Sequence, residues 1–96
     1  MPLYAMIGFD QPESIERREE FRAAHRAYVA ENIGVLRLAG AFNRDDDRQI
    51  GSLLIFEAPD EDAVWAWIKA EPFYRAGIYR QVEVRRWNLV IGQIAS

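Results

Sequence analysis

The sequence predicts an α+β domain in the order βαββαβ, with four antiparallel strands and two helices on one face of the sheet. Three observations predict it. Apolar runs of strand length recur at 3–9, 35–42, 49–57 and 79–92. Stripes of helical period fill the two long gaps, at 14–33 and 60–70. Only the polar segment NRDDDR, at 43–48, separates the second and third strands, which makes them an antiparallel hairpin. This order is the ferredoxin-like split βαβ arrangement. A chain of 96 residues suits one domain, and no linker or repeat divides it.

The first strand, LYAMIGF, is apolar on both faces, so both should be buried. A helix-start signature follows. Asp10 or Ser14 can cap, Pro12 suits the first turn, and Glu13 favours the positive end of the dipole. On the first helix, Ile15, Phe21, His25, Tyr28, Val29 and Ile33 share one stripe, and Gly34 should end the helix. In the second strand Gly40 marks a bulge or a close approach. Pro59 and Asp60 open the second helix, with Asp60 as its cap. Val64, Trp67, Ile68 and Glu71 follow its inner face. Pro72 stops regular helix, and Gly77 closes the short segment after it. The last strand alternates at first and then turns apolar through WNLVIG.

Two helices cover only one face of such a sheet. The other face, apolar in the first strand and at the end of the fourth, would be an unusually large bare patch on a monomer. A homodimer packed sheet to sheet is the economical solution.

Composition limits the chemistry. There is no cysteine and no threonine, one histidine, one lysine (Lys69) and three serines (Ser14, Ser52 and Ser96). Thiolate nucleophiles, disulfides, iron–sulfur clusters and cysteine-ligated zinc are excluded, and one chain cannot supply a multi-histidine zinc site. Twelve bases against 15 acids leave a net charge of −3, with the two signs interleaved, so no nucleic-acid partner is expected. No apolar run reaches the ~20 residues of a membrane span. The apolar start, MPLYAMIGFD, lacks the basic region and cleavage site of a signal peptide, so the expected setting is the cytoplasm, away from membranes. Asp45, Asp46 and Asp47 lack the ligand spacing of a calcium loop and read as a solvated tip, so no metal is expected.

Four residues stand out. His25 is the first residue to suspect of acid–base work near neutral pH. It lies on the inward stripe, with Arg22 one turn earlier, where a guanidinium can hold an anionic ligand. A lone histidine is also commonly a satisfied structural side chain. Glu71 ends the second helix, where the dipole disfavours a carboxylate. It is either a solvated helix end or a partner for the imidazole. Ser52, the one serine inside a strand, follows Gly51. It is either an ordinary strand serine or a ligand contact.

The motifs resemble those of the YciI-like (YCII-related) family over nearly the whole chain. Arg22 to His25 (RAAH) with Tyr28 is similar to the family's R-P-A-H-L, although Ala23 stands where proline is frequent. Gly40, the triplet Gly51, Ser52 and Leu53, and the VEVRRWN segment at 82–88 also fit. The segment EPFYRAGIY at 71–79 resembles D-P-Y-x-x-A-G-x-[YF], with Glu71 in place of aspartate. The resemblance implies a dimeric α+β barrel and a cleft built around a histidine and an acid, by position His25 and Glu71. It also implies chemistry like that of a family member that removes chloride from a chlorohydroxyquinol. The wider group includes cofactor-free monooxygenases and lactone isomerases.

The expected function is therefore a cofactor-free small-molecule enzyme of lyase or isomerase type. His25 would be general acid or base, Glu71 would orient it, and Arg22 and Ser52 would bind an anionic or phenolic ligand. The alternatives are a non-catalytic ligand-binding or interaction module on the same fold, or a cofactor-free quinol monooxygenase.

Overall fold

The computed structural model describes residues 1–94. The elements are β1 (Leu3–Asp10), α1 (Ile15–Glu31), a 3₁₀ turn (Ile33–Val35), β2 (Leu36–Asn43), β3 (Gln49–Glu57), α2 (Glu61–Lys69), α3 (Pro72–Arg75) and β4 (Tyr79–Trp87). The four strands form one antiparallel sheet in the order β2-β3-β1-β4. The two central strands are thus β3 and β1, as the ferredoxin-like order requires.

The core lies between this sheet and the helices. Tyr4 and Met6 of β1, Leu54 and Phe56 of β3, and Val84 of β4 meet Val64, Trp67 and Ile68 of α2. Trp67 fixes the packing by geometry. Its ring meets Tyr28 and Phe56 edge-on, each at 5.0 Å, and its indole N–H donates to the Asn32 carbonyl. Asp60 caps α2 as expected, its carboxylate accepting from the Ala63 N–H at 2.9 Å.

Four local expectations are corrected. Helix α1 stops at Glu31, because Asn32 takes the capping role. Its backbone N–H and its side-chain amide both donate to the Tyr28 carbonyl. Gly34 therefore lies in the 3₁₀ turn, and Ile33 is exposed rather than on the inward stripe. At the other end of α1, Ser14 precedes the helix, but its hydroxyl donates to Asp10 instead of accepting from a helix N–H. Strand β4 ends at Trp87 and not near 92. Among the described residues its one neighbour is β1, which begins at Leu3, paired with Trp87; beyond that point no described strand offers backbone partners. Pro72 stops α2 but also opens a short third helix, as suits a residue at N1.

The face of the sheet opposite the helices carries the alternate residues. On it lie Phe9, Leu38, Phe42 and Leu53, each between 38% and 47% exposed. Phe9 and Phe42 stack there at 6.4 Å. No described helix is long and apolar enough to cross a membrane.

Candidate active site

Helix α1 explains where the site is. Its one fully buried side chain is Arg18, and Arg22 and His25 follow on the same side, before Tyr28 and Val29 enter the apolar core. Half of the helix's inner face is therefore polar. That side overlies the β2–β3 edge and encloses a cleft of about 220 Å³. Arg22, His25, Gly40, Ser52, Leu54 and Phe73 line it. A second hollow of about 280 Å³ adjoins it along Arg22, Arg26 and Gln49. Arg48, Glu19 and Asp47 also line that hollow, which leaves its mouth with an excess of guanidinium over carboxylate.

His25 and Glu71 meet. The imidazole Nδ1–H donates to Glu71 Oε1. The ring also lies on Phe73, with centroids 4.0 Å apart and planes 3° from parallel. Glu71 is 2% exposed. It does not end α2 but caps α3, its carboxylate accepting from the Phe73 and Tyr74 N–H groups at 3.1 and 3.2 Å. Local physics thus explains an acid that looked misplaced at a helix C-terminus. Three N–H donors converge on one buried carboxylate, which pins the imidazole. With Nδ1 carrying the hydrogen, Nε2 of the neutral ring holds the free lone pair. His25 retains 23% side-chain exposure, so a ligand in the cleft can reach it.

Ser52 and Arg22 also line the cleft. Arg22 Nη2 donates to Gln49 Oε1 at 3.3 Å, its one side-chain hydrogen bond among the described residues, of the five N–H donors a guanidinium carries. Ser52 is held by a network that composition and spacing did not reveal. Arg18 Nη2 donates to Ser52 Oγ at 3.0 Å, and the Tyr79 hydroxyl donates to it at 2.9 Å. Arg18 is itself clamped by Asp10, with bonds of 2.6 and 3.0 Å, and both side chains are 2% exposed. The hydroxyl of Ser14 adds a bond of 2.7 Å to Asp10. Burial pushes the Tyr79 phenol up to about 12, with the Ser52 hydrogen bond acting in the opposite direction, so it keeps its proton.

Gly51 provides a close approach of backbone to backbone. A Cβ there would lie 2.7 Å from the Gly8 carbonyl oxygen. Sequence reasoning missed Arg18, and the one signal that could have found it is its register with the other site residues on the helix. Ser14, Arg18, Arg22 and His25 recur at intervals of four, four and three. Among the described residues no group of three or more His, Cys, Asp or Glu side chains is placed to hold a metal.

A ferredoxin-like α+β domain, with a polar cleft between its first helix and the sheet edge, is the class that this fold and site define. Residues 2–88 match the YCII-related domain, and the chain belongs to that family. It is 31% identical to Protein YciI of Escherichia coli O6:H1 (strain CFT073), covering 92% of this chain and 98% of that one. The match to Protein YciI of Shigella flexneri has the same identity and coverage. Among solved structures, it is similar to the 5-chloro-2-hydroxyhydroquinone dehydrochlorinase of Burkholderia phenoliruptrix AC1100 in complex with 2,5-dihydroxybenzoquinone. That match has a TM-score of 0.80 and 31% identity over 90% of this chain and 93% of the other. An antibiotic biosynthesis monooxygenase shares the fold at a TM-score of 0.55 and 21% identity, over 95% of this chain and all of that one.

Proposed function

We propose that this protein is a cofactor-free enzyme acting on a small, cyclic, oxygenated substrate, by dehydrochlorination or a related lyase or isomerase reaction. One observation carries the reading. The chain's single imidazole is held by a buried carboxylate at the wall of a cleft with a cationic mouth. The likeness to a dehydrochlorinase seen with a dihydroxyquinone supports the substrate class.

In this mechanism His25 Nε2 takes a phenolic proton, while the Glu71 carboxylate stabilises the imidazolium that forms. The imidazolium returns the proton to the ring carbon bearing chlorine. Loss of a second phenolic proton then expels chloride with the bonding pair. The net change is loss of HCl, so no oxidant or reductant is required. Arg22 favours the ionised form of the substrate. General acid–base catalysis of this kind contributes roughly 10²–10⁴ in rate.

The working unit we propose is a homodimer joined through the open sheet faces, since these carry exposed Phe9, Leu38, Phe42 and Leu53. We place it in the cytoplasm as part of the same reading.

The test is chloride release from 5-chloro-2-hydroxyhydroquinone, followed together with oxygen uptake. The proposal expects chloride without oxygen consumption, and a loss of roughly 10²–10⁴ in His25→Ala. Equal turnover by His25→Ala, or oxygen consumed in step with substrate, would reject it.

A further inference from the structure

Arg22 and Arg26 lie four residues apart on α1 and so share one face of the helix. Like charges at that spacing repel. Both side chains line the cleft and the adjoining hollow, so the two spaces are continuous. Among the described residues Arg26 makes no side-chain hydrogen bond or ion pair, and Arg22 bonds only the neutral amide of Gln49. No carboxylate of the described chain answers either charge.

Arg48 closes the hollow from the β2–β3 hairpin. The turn fixes its backbone. The Arg44 N–H donates to the Arg48 carbonyl at 2.9 Å, and the Arg48 N–H donates to Asp46 Oδ1 at 3.2 Å. The Asp46 carboxylate is committed to the Arg44 guanidinium, which donates to it at 2.6 Å. It lies 4.0 Å from the Arg48 guanidinium, beyond hydrogen-bond reach. Glu19 and Asp47 also line the hollow, yet among the described residues neither forms an ion pair. The fourth guanidinium of the wall, Arg18, is neutralised by Asp10. Three guanidinium groups against two carboxylates leave the hollow one positive charge in excess.

We infer that this hollow is a carboxylate subsite, in which Arg26 and Arg48 select substrates whose ring carries an acidic substituent. The inference rests on the reading of the cleft as a small-molecule site and adds the charge of the substrate. The ring occupies the cleft of about 220 Å³, beside His25, and the carboxylate occupies the hollow of about 280 Å³. One excess positive charge matches one carboxylate better than a phosphate group, which carries nearly two negative charges at neutral pH. A planar guanidinium also presents paired N–H donors that fit the two oxygens of a carboxylate. Arg26 stands on a helix and Arg48 on a hairpin, so a carboxylate held between them fixes the orientation of the ring as well as its affinity.

The probes are 2,5-dihydroxybenzoate and 2,5-dihydroxybenzamide, which share a ring and two hydroxyl groups and differ in the charge of the third substituent. Their affinities are measured by calorimetric titration at neutral pH and low salt. The wild type should bind the acid about tenfold more tightly than the amide. Arg26→Gln and Arg48→Gln should each lower that ratio about two- to fivefold, and the double variant should bring it near unity. Both side chains are exposed, so the variants keep the fold. The wild-type ratio should also shrink as salt is raised. A wild-type ratio near unity, a ratio insensitive to salt, or a ratio that the double variant leaves unchanged would overturn the subsite while the cleft assignment stands. The same holds if 2,5-dihydroxybenzoquinone binds and neither probe does. If none of the three compounds binds the wild type at millimolar concentration, the subsite and the cleft assignment fall together.

Discussion

His25 lies flat on Phe73, with ring centroids 4.0 Å apart. Phe73 also gives its backbone N–H to the Glu71 carboxylate that accepts from His25. One residue thus sets both the plane of the imidazole and the position of its partner. Phe73→Ala should cost about 3–5 kcal/mol, the range for a buried aromatic ring. Phe73→Leu should cost under about 1.5 kcal/mol, yet reduce ligand affinity by freeing the imidazole plane. Urea denaturation and quinone titration of both variants check this. A Phe73→Leu protein with full affinity would contradict the positioning role.

The Arg18–Asp10 pair is asymmetric in what it risks. The pair together adds little to stability, but either partner alone is an uncompensated buried charge. Asp10→Ala should therefore cost about 3–5 kcal/mol in chemical denaturation. A loss below about 1 kcal/mol would mean that water reaches Arg18.

Tyr79 sets an alkaline limit. Its phenol is raised by burial to about 12, whereas an unfolded tyrosine titrates near 10. Between those values the folded state holds a proton that the unfolded state has lost, so stability falls as pH rises. The contribution is fully present below pH ~10 and gone above pH ~12, about 2–3 kcal/mol in all. Tyr28 is raised by burial as well and acts in the same direction. Melting curves from pH 9 to 12 should fall less steeply for Tyr79→Phe than for the wild type. Parallel curves would contradict the assignment.

The open face of the sheet predicts self-association. Leu53 sits in central strand β3, 38% exposed on that face. Leu53→Arg should convert a dimer to a monomer in sedimentation equilibrium and leave the circular dichroism spectrum intact. A wild type that sediments as a monomer at micromolar concentration would contradict the proposed assembly.

The fold was legible because period carries it. Strand β3 falls at 49–57 as expected, and Asp60 caps α2 as expected. The apolar residues after Trp87 suggested more strand than there is, because pattern does not reveal where a neighbouring strand ends. His25 was legible from scarcity and from the inward stripe. Glu71 was legible as a buried position, but its role as cap of α3 was not, since a helix of four residues leaves little periodic trace. Arg18 was hidden among Glu16, Arg17, Glu19 and Glu20, a run that reads as solvated surface. Tertiary contact with Asp10, eight residues away at the end of β1, is what buries it.

In the proposed enzyme the ligand binds against the His25–Glu71 pair. One histidine in the chain means one set of imidazole signals in the NMR spectrum. The decisive measurement is a titration of 2,5-dihydroxybenzoquinone into the protein while the His25 ring resonances are followed. These resonances should move in step with quinone binding and saturate with it. Quinone binding that leaves the imidazole resonances in place would contradict that placement.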